Sequence, residues 1–232
     1  MQGGTGCGEV AFKLMIFDVR GRVTEARFLN SKIKFVRASL NGEFEFKAGQ
    51  FVNVEVGPNF YRAYSIASHA QEKNFLEFVV DITPGGKGSQ FFEKLKAEDP
   101  IHIKGPFGRL VLPEINSGNF CFIATGTGVA PFRSMAFELL AENVSLFWGL
   151  RYKEDIFFEE EFKNLKKFCI SLSRPSDWNG EVGHITDYLI REDFRPETLF
   201  FLCGNQGMID DARKILLEKG VKDEKIRFEK FY

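Results

Sequence analysis

Along the first half of the chain, apolar residues come in short β-branched and aromatic runs: Val23–Phe28, Ile33–Ala38, Phe51–Val56, Tyr64–Ala67, Phe75–Ile82, Ile101–Lys104 and Arg109–Leu112. Turn clusters such as Asn41-Gly42, Gly57-Pro58 and Pro84-Gly85-Gly86 separate them. That pattern predicts an antiparallel barrel or sandwich. One helix is expected among the strands, over Ser89–Leu95, directly after Gly85-Gly86-Lys87-Gly88.

From about Ile115 the pattern changes. Short buried runs (Phe120–Ala124, Val144–Trp148, Phe168–Leu172, Leu199–Leu202, Ile226–Phe228) now alternate with helical spacing. Phe132, Met135, Ala136, Leu139 and Leu140 fall on one face of a 3.6-residue period, as do Met208, Ala212, Ile215 and Leu216. Strand–helix alternation predicts a doubly wound parallel α/β sheet. The turn-rich stretch Pro113–Gly118 is the expected boundary, giving a barrel domain over 20–114 and an α/β domain over 115–232. Residues 1–19, Gly-rich at the start, are expected to be a flexible or added leader rather than a signal peptide.

Composition narrows the function classes. The 232 residues carry 31 basic and 32 acidic side chains, a formal net charge of −1, which argues against nucleic-acid and polybasic membrane binding. Four cysteines (Cys7, Cys121, Cys169, Cys203) have no zinc-ribbon or ferredoxin-type spacing, so no metal is expected and a reduced, cytoplasmic protein is. The longest uncharged run, Ile115–Phe132, is broken by Gly, Asn, Ser, Thr and Pro and does not read as a membrane span. Of the aromatic residues 27 are Phe, which reads first as core filling.

In a doubly wound sheet, ligands sit at the carboxyl ends of the strands. The residues there are Thr125-Gly126-Thr127-Gly128-Val129-Ala130-Pro131, Gly149-Leu150-Arg151, Ser173-Arg174 and Cys203-Gly204-Asn205. A glycine turn lets backbone approach a pyrophosphate, and the helix after it offers free N–H groups. In the first half, Arg62-Ala63-Tyr64-Ser65 and Gly86-Lys87-Gly88-Ser89 form a second candidate anion site, an Arg paired with a Gly-rich helix start. Taken alone, the glycine turn can be tight packing and Arg62 a solvated surface residue.

Six segments in order resemble the ferredoxin–NADP+ reductase superfamily: Arg62-Ala63-Tyr64-Ser65-Ile66-Ala67-Ser68, Gly86-Lys87-Gly88-Ser89-Gln90-Phe91-Phe92, Gly105-Pro106-Phe107-Gly108, the stretch from Ala124 to Ser134, Cys203-Gly204-Asn205, and Glu229-Lys230-Phe231-Tyr232. The resemblance spans about residues 20–232 and implies an FAD-binding antiparallel β-barrel followed by an NAD(P)-binding α/β domain. It implies that Arg62 holds a flavin phosphate, Tyr64 packs along the flavin and Ser65 hydrogen-bonds near flavin N5. Gly86, Lys87, Gly88 and Ser89 would hold the pyrophosphate, and backbone around Val79, Val80 and Asp81 would line the ring system. Thr127 would lie between flavin and nicotinamide nucleotide. Gly126, Gly128, Val129, Ala130, Pro131, Arg151, Ser173, Arg174, Gly204 and Asn205 would bind the nucleotide.

Cys203 would sit by the nicotinamide and, with Ser65 and Glu229, belong to the catalytic set. Phe231 matches the family's flavin-stacking aromatic, with Tyr232 as the other candidate. Ser173-Arg174 resembles the pair that NADP-using members place at the 2′-phosphate, which favours NADPH. However, Val182 and His184 stand where plant-type members have Lys and Tyr, and Trp178–Thr186 also resembles NADH-using oxygenase reductases. Gln206 stands where many members have Pro.

The implied activity is hydride transfer between NAD(P)H and flavin N5. Electrons would then pass to or from a separate carrier of ferredoxin or flavodoxin type, with a monomer expected. The alternatives are a free-flavin reductase and an electron-transfer subunit acting only within a larger complex.

Overall fold

The computed structural model describes residues 16–114 and 118–231. Its N-terminal half comprises β1 (Phe17–Phe28), β2 (Ile33–Leu40), β3 (Phe51–Gly57), β4 (Phe60–Ser65), β5 (Phe75–Asp81), α1 (Lys87–Lys94) and β6 (Pro100–Phe107). The strands form one antiparallel sheet in the order β4-β3-β6-β1-β2-β5. The chain just past β4 returns to β5, where the Ala67 N–H donates to the Glu77 carbonyl at 2.9 Å, so the sheet curls toward a barrel. Alternation does the packing: β3 turns Val52, Val54 and Val56 inward onto Phe78, Phe92 and Ile103.

Two expectations are corrected here. β1 begins at Phe17, which pairs with Gly105, so residues 17–19 belong to the sheet and not to a leader; Met1–Met15, with Cys7, lie outside the described residues. Arg109–Leu112 is not a strand. Gly108 turns the chain at φ +101°, and Leu110 is buried against Gly49 without joining a ladder.

The C-terminal half comprises β7 (Phe120–Thr125), a 3-10 turn over Gly126–Val129, α2 (Ala130–Ala136), β8 (Val144–Leu150), α3 (Glu159–Phe162), β9 (Lys167–Leu172), β10 (Glu181–Val182), α4 (Ile185–Arg191), β11 (Leu199–Asn205), α5 (Gln206–Glu218) and β12 (Ile226–Phe231). The sheet is parallel throughout, in the order β10-β9-β8-β7-β11-β12. A curled antiparallel sheet is thus followed by a doubly wound α/β sheet, in the expected order. Strand order reverses at β7, which opens a crevice between the ends of β7 and β11.

The helix expected through Leu140 stops at Ala136, because the next turns tighten to bonds three residues back (Glu138 N to Met135 O, 3.0 Å), and Leu140 is left 65% exposed. β10, α3 and α4 are too short to register as periodic patterns. No helix among the described residues is long and apolar enough to cross a membrane. The two sheets share a core: Ile33, Phe35, Ala48, Ala67, Val79 and Leu110 from the first pack with Phe120, Phe122, Val129, Phe132, Met135 and Trp148 from the second.

On the outer face of β1, β3 and β6, His102 lies between two carboxylates, with Nδ1 2.6 Å from Glu55 and Nε2 on Asp18. The bond to Asp18, then that to Glu55, holds the imidazole above its ordinary value of 6.5. The bond to His102 in turn holds both carboxyls below their ordinary 3.8 and 4.5. The imidazole's contribution to stability is therefore complete below pH 6.5 and lost as pH rises through its folded value; the carboxylates' contribution is lost on acidification below their ordinary values. The Tm gap between wild type and His102→Asn should be widest between about pH 5 and 6.5 and close on the alkaline side. A gap independent of pH would show that the imidazole is neutral there.

Candidate active site

A cleft of about 1620 Å3 runs between the two sheets and is lined from both. On the barrel side, β4 and α1 meet. Ser65, at the end of β4, is 8% exposed, and its Oγ is buried at the cleft with no hydrogen-bond partner. A buried hydroxyl without a partner is costly and so points to a ligand atom that completes it. Next to it Tyr64 packs on Phe92 at 4.5 Å between ring centres, and burial pushes its phenol up to about 12 against the pull of Arg62.

α1 starts at the uncapped Gly86, leaving its first-turn N–H groups without side-chain acceptors at the cleft wall. A Cβ on Gly88 would fall 2.2 Å from the Tyr64 hydroxyl, so a larger residue there would push the tip of that side chain out of its present place. Arg62 and Lys87 both line the cleft and rest over the Phe60 ring, at 4.1 and 4.5 Å. Ser89, Val79, Val80 and Asp81 complete this wall, with Asp81 tied to Thr83 at 2.7–2.8 Å.

The opposite wall is the switch point. Gly126, Thr127 and Ala130 face the cleft, and the Trp148 indole N–H holds the Gly126 carbonyl at 2.9 Å. Gly128, Val129 and Pro131 are buried behind them and do not line it. Gly128 is required for contact, since a Cβ there would fall 2.2 Å from the Cys203 carbonyl. Across the crevice Gly204, at φ +142°, lies so close to Thr125 that a Cβ would sit 2.2 Å from its Oγ1. Asn205 donates to the same hydroxyl from its backbone at 3.1 Å and its side chain at 3.0 Å, while its Oδ1 caps α5 at the Met208 N–H.

The nicotinamide-side assignment of Cys203 is corrected. Its side chain is 0% exposed, lies in the shared core with Phe201, and is absent from the cleft wall. Burial also pushes its thiol well above the usual range, as for a cysteine packed as a small hydrophobe. Only its neighbours Gly204 and Asn205 reach the cleft. Arg151 and Ser173 line the cleft; Arg174 is exposed beside it, joined to Arg151 by a 2.9 Å backbone bond but not contributing to the wall.

β12 brings Glu229 and Phe231 to the cleft, opposite Cys203 and Asn205 of β11. Burial raises the Glu229 carboxyl to about 7. Tyr232 lies outside the described residues. Thr125, quoted in the sequence as the start of the glycine turn, lines the cleft. Sequence reasoning missed Lys32 and Asp155. Lys32 and Asp155 meet across the cleft at 2.8 Å from positions with no local signal.

An oxidoreductase FAD-binding domain model matches residues 20–112, and an oxidoreductase NAD-binding domain model matches residues 122–214. The phenol hydroxylase P5 protein of Acinetobacter pittii is 30% identical over 94% of this chain and 66% of its own length. The crystal structure of the Amycolatopsis cytochrome P450 reductase GcoB superposes with TM-score 0.87 at 28% identity, covering 94% of this chain and 71% of that one. A ferredoxin NADP+ reductase from Neisseria gonorrhoeae, with bound FAD and NADP, shares the fold at TM-score 0.80 and 24% identity over 94% and 99% of the two chains. The chain spans 50–66% of the length of the first curated relatives it matches. With an oxidoreductase FAD-binding domain and an oxidoreductase NAD-binding domain matched in order and one cleft built from both sheets, the chain belongs to the ferredoxin–NADP+ reductase superfamily.

Proposed function

We propose that this chain carries electrons from a reduced nicotinamide dinucleotide through FAD to a separate acceptor, a small carrier of ferredoxin or flavodoxin type. The observation that carries this reading is the buried, partnerless Ser65 hydroxyl set in one cleft with the glycine turn of the switch point. The name of the cytochrome P450 reductase among its structural neighbours supports onward transfer to another protein.

The residues fit FAD. Arg62, with Lys87 and the uncapped start of α1 at Gly88 and Ser89, would hold the phosphates, since a cationic fork and free N–H groups complement an anion. Tyr64 would pack along the ring system, the Ser65 Oγ would hydrogen-bond to it, and Val79, Val80 and Asp81 would line it. Phe231 would cover its nucleotide-facing side. Thr127, Gly126, Ala130, Gly204 and Asn205 would position the nucleotide, with Gly128, Val129 and Pro131 shaping the turn from behind. Held by these residues, the two cofactors would supply the redox chemistry, a two-electron hydride exchange between reduced nicotinamide and flavin. A carboxyl near 7 lets Glu229 hold or release a proton at its Oε atoms at neutral pH.

For the nucleotide we propose NADPH. Arg151 and Arg174 stand side by side at the rim with no ion-pair partner among the described residues, and two free guanidinium groups suit a dianionic 2′-phosphate. Anaerobic titration with NADPH and NADH tests both levels. The purified protein should be yellow and bleach, and Arg174→Glu should raise the KM for NADPH far more than that for NADH. A colourless protein that reduces only added flavin would overturn the bound-FAD reading, and an equal effect on both nucleotides would overturn the NADPH assignment.

A further inference from the structure

We infer that Arg133 is a positioning residue: its guanidinium sets how the glycine turn of the nucleotide side stands relative to the flavin wall. The side chain is 11% exposed and spans the seam between the sheets. Nη1 donates to the Ala67 carbonyl at 2.8 Å and to Glu77 Oε2 at 2.6 Å, both on the barrel side. Nε donates to Glu161 Oε2 at 2.6 Å on its own side, with the Phe158 and Phe137 rings at 4.6 and 5.1 Å from the guanidinium carbon. The anchors are close in sequence to the cleft: Ala67 lies two residues beyond Ser65, Glu77 two before Val79, and Arg133 three beyond Ala130. Glu77 is itself 3% exposed, and Arg37 holds its other oxygen at 2.5 and 2.8 Å, so the barrel anchor cannot swing.

The shared apolar core already joins the two sheets, and a buried ion pair adds little net stability because desolvation offsets its attraction. What the fork adds is direction. A planar guanidinium that fills three acceptor sites fixes both distance and angle, which a lysine ammonium does not. Hydride transfer depends steeply on that geometry, with a misplacement of ~1 Å costing about 100-fold.

This inference rests on the FAD and NAD(P)H reading above. The test uses FAD-loaded Arg133→Lys, Arg133→Gln and Glu77→Gln, with Arg213→Ala, which breaks a surface pair with Asp223 far from the seam, as control. After rapid anaerobic mixing with saturating nucleotide, flavin bleaching should slow by about 10- to 100-fold in the three seam variants. FAD retention and nucleotide KM should stay unchanged. Without any cofactor, hydrogen exchange should quicken at residues 65–68 and 126–130 in the same variants and not in Arg213→Ala. Wild-type bleaching rates in Arg133→Lys, or a loss that only tracks lower Tm and lower FAD content, would overturn the positioning role. A wild type that neither holds FAD nor bleaches would overturn the underlying reading instead. Should Arg133→Gln fail to fold, Arg133→Lys and Glu77→Gln still decide the matter.

Discussion

Ser65→Ala is expected to yield an apoprotein more stable than the parent and a loaded enzyme about 100-fold slower in flavin reduction. The two effects have one cause. In the protein alone the Ser65 Oγ is buried without a partner, a condition that costs about 1–3 kcal/mol, and an apolar methyl removes that cost. In the loaded enzyme the same hydroxyl is the group proposed to steady the reacting edge of the flavin. A hydrogen bond of this kind, aimed at charge that develops during reaction, is worth about 3 kcal/mol. Urea denaturation of the apoprotein and stopped-flow bleaching of the loaded form check the pair. If stability falls instead, the hydroxyl has a partner within the protein; if the rate is unchanged, it does not serve the flavin.

Gly128→Ala should separate the two cofactors in the other direction. The added Cβ would meet the Cys203 carbonyl oxygen at 2.2 Å, its carbon at 2.6 Å and the Gly204 Cα at 2.9 Å. All three are backbone atoms, so no rotamer change relieves the clash and the turn must move off β11. The expected result is a protein destabilised by about 1–3 kcal/mol that still holds FAD, because the barrel wall is untouched. It should lose its response to nucleotide, with bleaching slowed by about 100-fold or more at any accessible concentration of NADPH or NADH. A variant that bleaches normally would mean that the turn has room the contact distances deny.

The glycine turn that holds Gly128 was marked in the sequence by a local property, small residues at a strand end where backbone must approach closely. Ser65 carried no such local mark, and its proposed flavin contact came from the resemblance of its segment to a known family. The strands of both sheets were legible likewise, because alternation and short buried runs survive without knowledge of partners. Cys203 was misread because its motif places it at a strand end but does not say where its thiol points. The period of two along β11 sends Phe201 and Cys203 into the shared core and Phe200 and Leu202 to the opposite layer. The Arg133–Glu77 pair was not legible at all: its partners are 56 residues apart, one on α2 and the other on β5, and nothing local to either marks the contact. The same holds for Lys32 and Asp155.

The shared core has a consequence for modularity. Separate family models match the two halves of the chain, which invites treating them as interchangeable cassettes. Ile33, Phe35, Ala48 and Val79 are shaped to Phe132, Met135 and Trp148 of the same parent, and a transplanted partner half would present them with foreign contours. A working chimera between relatives must therefore carry both faces of this seam from one parent, even where its crossover lies in the loop between the sheets.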